Sequence, residues 1–487
     1  MYRLPEYAVI ATVGVVIVAL GVVDFVPRQR AWPAVVWYRL PQVMVPAALL
    51  GIVATIVWAV HSGHVSPRGF VDLSVYRLGV DAWWHDDNVY GELPLTGIGL
   101  ALPFTYPPFA VLALGPLAIP PWQVSIACIT VASLLCLSVV AFLTIRVAWP
   151  NGGKRGALVA TAAVVPLSLL LEPVEDTVWF GQVNLVLMAL VVVDCLVDRP
   201  RWPRGLLAGV AAAVKLTPAV FLLYFLLRKD YRAAVTMTVT AVVATGVGFV
   251  ADWSGSLTFW FGASGGAHAV GDPASPVNQS LTGMLARFGL TGAQQAVGWA
   301  VIVPVLGLFA AAGVRRALRE DAVPLAVVIT AGFGLAASPI SWGHHWVYVV
   351  PAVIALVACG LRPGRRMWLL AAAAALLAVF RAAAFLDVGS GHEWPPLHFL
   401  GANSYLFAEL TLLAAYAGPG VVRRAAAVAA GLRRAAVVPT GLRRAAVAVG
   451  LRRAATVAAG LRNHASRLRA EVPAALPDAA SDSLPDS

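Results

Sequence analysis

The sequence has 487 residues, of which 60% are hydrophobic and only 12% are charged, and its mean hydropathy is +0.79. No soluble globular domain needs so much apolar surface, so a soluble enzyme is excluded for the chain as a whole. The net charge of +11 does not indicate a nucleic-acid-binding protein, because most of it belongs to a separate C-terminal segment. The composition predicts a polytopic helical membrane protein.

Apolar stretches that approach the roughly 20 residues needed to cross a bilayer recur along the chain. The predicted spans are residues 7–26, 44–61, 122–145, 157–171, 182–198, 234–250, 292–314, 323–337, 346–360, 367–385 and 403–418. With two further apolar pieces, at 107–119 and 205–227, we expect an all-α fold of about 11–13 membrane segments in residues 1–420.

Basic residues predict how these spans are oriented. If the loop at 27–43 is cytoplasmic, every second loop is basic, as the positive-inside rule requires. The pattern holds only if residues 205–227 enter and leave on the cytoplasmic side, as a broken or re-entrant pair. The loops on the opposite side, including residues 70–106, are acidic and rich in histidine. Few basic residues fall outside the cytoplasmic loops and the tail: Arg3, Arg68, Arg77, Lys215, Arg287 and Arg381.

Residues 70–106 form the main interruption of the apolar pattern and combine carboxylates with aromatic rings. Asp72 follows a predicted span on the outer side, where a carboxylate can accept the proton of a hydroxyl that attacks an anomeric carbon. The alternative is a solvated loop or helix-cap aspartate. We favour sugar chemistry, with Asp72 as the base in an outer catalytic loop. The adjacent pair Asp86-Asp87 is interpreted as a solvated surface rather than a metal site.

Lys215 is the most informative single charge, because it lies inside the apolar segment 205–227. An ionisable residue at membrane depth is costly and is expected to have a partner or a function. One interpretation is a counter-charge for a lipid phosphate, helped by nearby helix N-termini. The other is a side chain that extends to the cytoplasmic interface.

Amides and histidines near the ends of other spans are further candidates. Gln182 and Asn184 follow Glu172 at the start of a span, where they can hydrogen-bond sugar hydroxyls or join helices. His344 and His345 lie in a second outer cluster that contains proline and glycine, and they can bind phosphate or position a sugar. Two adjacent histidines without matching carboxylates are poor evidence for zinc. The chain has no P-loop and no Rossmann fingerprint, which favours a lipid-linked donor over a nucleotide sugar.

The C-terminal tail, residues 421–487, has a different composition. It repeats a unit of about ten residues that contains paired arginines, and it carries 11 arginines against four acidic residues. The tail can hold anionic lipid headgroups, at about 1 kcal/mol per basic residue. The alternative is a poorly ordered cytoplasmic extension of low complexity, and this is the interpretation that we favour.

Several of these stretches together resemble glycosyltransferase family 87, the polyprenol-phosphate-mannose-dependent α-(1→2)-mannosyltransferases of the C-type membrane fold. The similar stretches are Asp72-Leu-Ser-Val-Tyr76, Leu102 to Pro108, Gly181-Gln-Val-Asn184, Gly209 to Pro218, Asn278-Gln-Ser280 and Ser338 to Trp346. They occur in the family's order over residues of about 65–350. The span at 7–26 and the arginine-repeat tail depart from the family pattern.

The resemblance implies an inverting transfer of mannose from a polyprenyl phosphate to a glycolipid or lipoglycan acceptor outside the cytoplasm. It implies Asp72 as the catalytic base. The role of the cytoplasmic tail and the dependence on a metal ion are left undecided. Lys215 and His344 or His345 are candidates to stabilise the departing phosphate. The substrate-binding residues are predicted to be Tyr76, Arg77, Tyr106, Glu172, Gln182, Asn184, Lys215, Asn278, Gln279, His344 and His345. The alternative is a flippase or exporter of lipid-linked sugars, although only one broken segment is evident where transporters often have a pair.

Overall fold

The computed structural model describes residues 69–262, 272–360 and 394–417, together with residues 370, 373–375 and 378. Every regular element in these residues is helical, which confirms the predicted all-α fold, and one isolated β-bridge joins Asn278 to Trp342. The predicted spans at 7–26 and 44–61, most of the span at 367–385, and the tail at 421–487 lie outside the described residues.

The helices are numbered here in chain order. They are α1 (Val71–Trp84), α2 (Phe109–Leu114), α3 (Trp122–Ala148), α4 (Gly153–Ser168), α5 (Glu172–Phe180), α6 (Asn184–Leu196), α7 (Leu206–Val214), α8 (Phe221–Arg228), α9 (Tyr231–Ala251), α10 (Trp253–Phe261), α11 (Leu281–Arg287), α12 (Gly292–Arg319), α13 (Val323–Ala337), α14 (Val349–Gly360), α15 (Pro396–Ala402) and α16 (Ser404–Ala417). Short 3-10 turns occupy Gly115–Leu117, Pro150–Gly152, Thr217–Val220 and Gly343–His345.

Three described helices are long and apolar enough to cross a membrane: α3, α9 and α12, with 27, 21 and 28 residues. Pro150–Ser168 and Glu172–Phe180 form a fourth candidate, a broken span with a bend of 74°. Shorter apolar helices, among them α6, α13, α14 and α16, complete the set in the described part of the chain. The predicted span at 323–337 coincides with α13, whereas the one at 157–171 ends at the bend.

The lipid-facing character of α9 is evident from the side chains that it exposes. Six valines of this helix are among the exposed large hydrophobic residues: Val235, Val239, Val242, Val243, Val247 and Val250. So many exposed apolar side chains on one helix would be unfavourable in water and match a hydrocarbon environment. The helix therefore has one side against the protein and a broad side toward lipid.

The other side of α9 packs closely against α7. Gly205 and Gly209 are four residues apart and so lie on one face of α7. A Cβ atom at Gly209 would lie 2.7 Å from both the Met237 carbonyl oxygen and the Thr240 Cβ. Small residues at this spacing allow two helix backbones to approach in a membrane. The contact fixes α7, and with it Lys215, which directly follows the helix.

The segment 205–227 is broken as predicted. The backbone leaves the helical conformation at Lys215, with φ −148° and ψ 131°. Arg204 and Arg228 both donate hydrogen bonds to the Cys195 carbonyl oxygen, at 3.3 and 3.4 Å, and Arg204 lies 3.8 Å from the Asp230 carboxylate. The two ends of the segment therefore lie together at one end of the bundle, with Lys215 at the break between them.

The stretch 70–106 differs from the expected outer loop in its secondary structure, because its first part is the helix α1. Leu73, Tyr76 and Val80 are buried at a spacing of three to four residues, which is the stripe of a helix that packs on one face. The acidic and aromatic residues between them obscure this period in the sequence. After Trp84 the chain has no helix or strand until α2 begins at Phe109.

Candidate active site

Asp72 lies in the first turn of α1, and one of its oxygens is available for a new partner. The Gln182 side chain and the Lys215 ammonium group are both near enough to Asp72 to lower the pKa of its carboxyl group. The Oδ2 atom is buried and has no hydrogen-bond partner among the described residues. A buried polar atom without a partner costs about 1–3 kcal/mol, so such atoms are rare in folded proteins. Asp72 therefore presents an acceptor that a substrate hydroxyl can use.

The pKa of Asp72 suits an acceptor of protons. Burial raises the pKa of Asp72 from 3.8 to about 6, although the positive charge of Lys215 and the side chain of Gln182 each lower it. The group is consequently a carboxylate at neutral pH, and it binds a proton more readily than an exposed aspartate does. A general base works best when its pKa is close to the operating pH.

Two tyrosines and a glutamine form one cluster beside Asp72. The Tyr76 and Tyr106 hydroxyl groups are 3.0 Å apart, and their rings are arranged edge to face with centroids 5.3 Å apart. Both hydroxyl groups donate to Oε1 of Gln182, that of Tyr106 at 2.8 Å. All three side chains are buried. The cluster joins α1, the chain before α2, and the turn between α5 and α6.

Lys215 extends into the same site from the break after α7. Its Nζ atom donates to Oδ1 of Asn184 at 2.9 Å and lies 3.2 Å from Nε2 of His345. The ammonium group is also 5.4 Å from the centre of the Tyr106 ring, within the range of a cation–π contact. These partners keep the cation in the site rather than at the cytoplasmic interface. The structure thus brings Asp72 and Lys215 together from positions that are distant in the sequence.

The two predicted histidines occupy the turn between α13 and α14, which is attached to α5 and α6. The His344 carbonyl oxygen accepts hydrogen bonds from Asn184 Nδ2 at 2.8 Å and from Thr177 Oγ1 at 3.0 Å. The His344 ring packs edge-on against Phe180, with centroids 5.2 Å apart. Nδ1 of His345 is buried, and no group in the described part of the chain hydrogen-bonds to it. His345 therefore presents a second open polar atom in this site.

Both histidines are neutral at physiological pH. Burial and the nearby charge of Lys215 lower the pKa of His344 to about 3, and they lower the pKa of His345 well below its usual range. Because the Lys215 ammonium can only donate, Nε2 of His345 is the acceptor in their contact and the ring proton is assigned to Nδ1. The open atom of His345 is thus a hydrogen-bond donor.

Asn278 and Gln279, which the sequence predicted to bind substrate, hydrogen-bond mainly to backbone groups. Asn278 Oδ1 accepts from the Ser341 backbone N–H at 3.0 Å. The Gln279 amide donates to the Ala402 carbonyl oxygen at 2.8 Å and accepts from the Tyr405 backbone N–H at 3.0 Å. These bonds connect the turn that carries the histidines to the start of α16. Their role in binding substrate remains a prediction.

Arg287 completes this arrangement. Its guanidinium group donates to the carbonyl oxygens of Ser275, at 2.8 Å, and Asn278, at 3.0 Å, and to Oδ1 of Asn403, at 2.6 Å. We call Asn278, Gln279, Arg287 and Asn403 the loop-anchoring network. All four side chains are buried. The network holds the chain on either side of α11 and α15 without contact to Asp72.

Two other predicted substrate-binding residues also have protein partners. Glu172 is buried at the start of α5, and its Oε2 accepts a hydrogen bond from the Tyr405 hydroxyl group at 3.0 Å. Arg77 donates to the carbonyl oxygens of Leu117 and Pro120 and to the Ser125 hydroxyl group, at 2.7–2.8 Å. Arg77 therefore connects α1 to the turn before α3 and to the start of α3.

Sequence reasoning did not assign roles to Thr177, Arg287, Asn403 or Tyr405. Arg287 carried one available signal, since it is among the few basic residues outside the predicted cytoplasmic loops. Tyr405 carried none, because its contact with Glu172 joins residues 233 positions apart. Asp86 and Asp87 are exposed, as expected. In the described part of the chain, no group of three or more His, Cys, Asp or Glu side chains is arranged to hold a metal ion.

Comparison with known proteins identifies the family. The model of glycosyltransferase family 87 matches residues 104–339. A polyprenol-phosphate-mannose-dependent alpha-(1-2)-phosphatidylinositol mannoside mannosyltransferase of Mycolicibacterium smegmatis is 38% identical over 371 residues, 72% of this chain and 82% of the relative. The Mycobacterium tuberculosis protein of the same name is 40% identical over 315 residues, 62% of this chain and 72% of the relative.

A third relative differs in its acceptor. A polyprenol-phosphate-mannose-dependent alpha-(1-2)-phosphatidylinositol pentamannoside mannosyltransferase of M. smegmatis is 31% identical over 66% of this chain and 76% of the relative. No solved structure gives a significant match. The family model covers the cluster from Tyr106 to Lys215, while Asp72 and the two histidines lie just beyond its ends. On these similarities, and on the helices that are able to cross a membrane, the chain belongs to glycosyltransferase family 87 and is a polytopic membrane glycosyltransferase.

Proposed function

We propose that this protein transfers mannose from polyprenyl-phosphate mannose to a phosphatidylinositol mannoside and forms an α-(1→2) linkage. The donor, linkage and acceptor class are those in the names of the relatives that it resembles. Identity is 38–40% to the two enzymes named for phosphatidylinositol mannoside and 31% to the enzyme named for the pentamannoside. The acceptor class that we propose is therefore the one named for the first two relatives, a phosphatidylinositol mannoside.

The observation that carries the proposal is the pairing of an open carboxylate with a fixed cation. A single displacement at an anomeric carbon needs a base beside the attacking hydroxyl group and positive charge or donors beside the departing phosphate. Asp72 supplies an unpartnered acceptor oxygen, and Lys215 is held in the same site by Asn184. A site that places both groups together reduces the loss of entropy in forming the transition state.

The proposed reaction is an in-line displacement with inversion. The acceptor hydroxyl oxygen forms a bond to the anomeric carbon of a β-linked donor, while the bond from that carbon to the phosphate oxygen breaks. The Asp72 carboxylate takes the hydroxyl proton, and the electron pair of the broken bond leaves with polyprenyl phosphate. The product carries mannose in the α configuration, because attack comes from the face opposite the leaving group.

The leaving phosphate is assigned to Lys215 and His345. Nδ1 of His345 is a buried donor without a partner, and a phosphate oxygen is an acceptor of the right kind. His344 differs, because its backbone carbonyl group anchors the turn and its ring packs against Phe180. Of the two histidines that the sequence offered, His345 is therefore the stronger candidate for contact with phosphate, and His344 for holding the turn.

A small cleft of about 30 Å³ lies next to these groups. Asn184, Thr217, His345 and Tyr348 contribute polar groups to its lining, and the rest of the lining is apolar: Leu187, Met188, Pro218, Val220, Phe221, Ala331, Leu335 and Val347. This mixed lining is compatible with a donor that has a charged head and a hydrocarbon chain.

We place the active site on the outer face of the membrane. The site lies at the Asn184 end of α6, whereas Arg204 and Arg228 cluster at the Cys195 end. Clustered arginines favour the cytoplasmic side. A cysteine substituted for exposed Asp86 is expected to react with an impermeant thiol reagent added outside cells, and one substituted for exposed Arg315 is not, with the parent protein as background. The reverse pattern would overturn this orientation.

A transfer assay tests the function. The purified protein is incubated with radiolabelled polyprenyl-phosphate mannose and phosphatidylinositol mannoside acceptors of increasing size, and the linkage of the product is analysed. We expect labelled glycolipid with a new α-(1→2) mannose. If the protein moves the donor across vesicle membranes without forming product, the flippase alternative is correct instead.

Two variants test the base. Asp72→Asn keeps the shape of the side chain and removes the basic oxygen, so we expect turnover to fall by about 10²- to 10⁴-fold. Asp87→Asn is the matched control, since Asp87 is exposed in the same part of the chain. Near-normal turnover in folded Asp72→Asn, or a larger loss in Asp87→Asn, would show that the base lies elsewhere.

A further inference from the structure

A cavity of about 330 Å³ lies between three of the apolar helices. Its walls belong to α13, α14 and α16, and Trp346, in the turn between α13 and α14, also lines it. Neither Asp72 nor Lys215 is among its lining residues. Leu400 and Thr411, which line it too, are exposed, so the cavity is open to the surroundings of the bundle. Its volume lies in the range of small-molecule binding sites, about 300–1,000 Å³.

Glu409 brings a carboxyl group to this cavity from α16. The side chain is 6% exposed, and its Oε1 atom has no hydrogen-bond partner among the described residues. A Cβ atom at Gly332 of α13 would collide with the carboxyl group, so the glycine leaves the space that this group occupies. An ionisable side chain inside a membrane span is costly and is expected to have a partner or a function. The open oxygen of Glu409 is therefore available to a ligand.

Trp346 brings a second open group. The residue is 8% exposed, and no group in the described ranges hydrogen-bonds to its buried Nε1 atom. The indole ring stacks on the Tyr405 ring, with centroids 5.9 Å apart and an angle of 28° between the planes. Glu409 follows Tyr405 by four residues and so lies one turn further along the same face of α16. One side of the cavity thus has both an open N–H donor and an open carboxyl oxygen.

The two open atoms have complementary requirements. An indole N–H can only donate a hydrogen bond, whereas a carboxyl oxygen accepts one. A hydroxyl group does both, so a single alcohol is able to bind Trp346 and Glu409 together. Most of the remaining lining is apolar and suits a hydrocarbon body, and it includes Val328, Leu335, Val349, Leu356 and Leu412.

We propose that this cavity binds a neutral lipid alcohol, whose hydroxyl group hydrogen-bonds to Glu409 and Trp346 and whose hydrocarbon body lies along the apolar walls. Isoprenoid alcohols and diacylglycerols both have this chemistry. They differ in the hydrocarbon body, which is one branched, unsaturated chain in the first and a pair of acyl chains in the second. The test therefore uses one probe of each kind.

Other occupants leave part of this surface unused. The hydrocarbon chain of a lipid-linked donor would fill the volume but would leave both open atoms without partners, at a cost in affinity. A phosphate group would bring negative charge to the carboxyl group of Glu409. A polar contact that joins α16 to α13 needs a side chain on α13, and the residue that meets the carboxyl group there is Gly332, which has none.

The test measures binding to the purified full-length protein in phosphatidylcholine nanodiscs. The probes are tritiated farnesol and tritiated dioctanoylglycerol, each compared with its methyl ether. An ether oxygen still accepts a hydrogen bond from Trp346 but has no proton to donate to Glu409. We expect at least one alcohol to bind the wild-type protein about three- to tenfold more tightly than its ether, the usual net effect of one hydrogen bond. The alcohol with the larger ratio identifies the hydrocarbon body that fits.

Variants locate this preference at Glu409. In Glu409→Leu the carboxyl group is absent, so alcohol and ether are expected to bind equally. In Gly332→Ala the added methyl group displaces the carboxyl group, so the ratio of the two affinities should fall toward one. Thr411→Val is the matched control, because Thr411 lines the same cavity but its hydroxyl group already donates to the Phe407 carbonyl oxygen at 2.7 Å. Its ratio should equal that of the wild type.

Trp346→Phe tests the donor independently. It keeps an aromatic ring beside Tyr405 and removes the N–H, so it should weaken binding of the alcohol and the ether by the same factor, about three- to tenfold. Equal binding of alcohols and ethers to the wild-type protein would overturn the proposed site, and so would the wild-type ratio in folded Glu409→Leu. Binding is measured without transfer of mannose, so these outcomes do not depend on whether Asp72 is the base. Melting temperatures in the same nanodiscs establish that each variant is folded.

Discussion

Two buried polar regions lie close together in this protein, and they use their hydrogen bonds differently. The proposed catalytic cluster of Asp72, Gln182, Asn184, Lys215 and His345 is held mostly by contacts between side chains. Among the described residues, Asp72 Oδ2 and His345 Nδ1 have no hydrogen-bond partner. In the loop-anchoring network, the Asn278 and Gln279 amides bond to backbone groups of the chain.

The difference teaches how to distinguish a site from a support when both are made of amides and charges. When the hydrogen-bonding groups of a polar side chain all bind backbone groups, the side chain stabilises the fold and has no group left for a ligand. A side chain held by other side chains, with an open atom beside it, keeps capacity for a ligand at a cost in stability. By this criterion the proposed catalytic cluster keeps capacity for a substrate, whereas the amides of the loop-anchoring network hold the histidine turn. Nε of Arg287 is the one atom of that network that is also buried without a partner among the described residues.

The variant Asp72→Asn is expected to distinguish the two regions most clearly, because it should change turnover without lowering the melting temperature. Turnover falls as described above, but the melting temperature is not expected to fall. The substitution removes a buried charge with an unpartnered oxygen, which is an unfavourable feature of the folded state. Thermal unfolding in detergent at pH 7 checks this. A clear drop in melting temperature would mean that Asp72 is primarily a structural residue.

The pH dependence of the wild-type enzyme gives the next effect. Because Asp72 must be unprotonated to act as a base and burial raises its pKa to about 6, turnover is expected to fall about tenfold per pH unit below that value.

Unfolding of the protein does not explain such a fall in turnover. The folded pKa of Asp72 lies above its ordinary 3.8, so the folded state binds this proton more tightly and the contribution of Asp72 to stability rises as the pH falls from about 6 toward 4. Initial rates between pH 4.5 and 8, with melting temperatures at each pH, check both statements; a flat rate down to pH 5 contradicts the assignment.

These two predictions depend on contacts that sequence patterns reveal only in part. The apolar period predicted most of the helices, and the basic flanks of residues 205–227 predicted a break within that segment, which the structure shows at Lys215. The closeness of Asp72 to Gln182 and Lys215 was not predicted, because no local pattern specifies which distant polar groups meet. The contact of Tyr405 with Glu172, across 233 residues, had no signal at all. The helix α1 was missed because its buried stripe is interrupted by charged and aromatic residues.

In the loop-anchoring network, Arg287→Met is expected to affect stability first. The arginine donates to two carbonyl groups and to Asn403, and its loss leaves buried acceptors without donors, at about 1–3 kcal/mol for such a group. The melting temperature in detergent should fall, and activity should fall only with the folded fraction, with KM unchanged. Arg315→Met, at an exposed arginine, is the control. A loss of kcat at full folding would transfer Arg287 to the catalytic cluster.

The smallest effect is expected where the two regions meet, at Thr177. Its hydroxyl group donates to the His344 carbonyl oxygen at 3.0 Å and to the Pro173 carbonyl oxygen of its own helix at 2.7 Å. In Thr177→Val the His344 carbonyl group keeps its hydrogen bond from Asn184, at 2.8 Å, so no acceptor there is left without a donor. A single polar contact between membrane helices is worth about 0.6 kcal/mol on average. We therefore expect a small fall in melting temperature and less than about threefold change in kcat, measured in the same transfer assay.

The comparison is sharpened by Asn184→Leu, which removes both the second donor to His344 and the acceptor that holds Lys215. This variant should weaken donor binding as well as stability. If Thr177→Val alone reduced kcat tenfold at an unchanged melting temperature, that one hydroxyl group would set the position of the histidine turn. The helix α5 would then be part of the active site and not only of the structure that supports it.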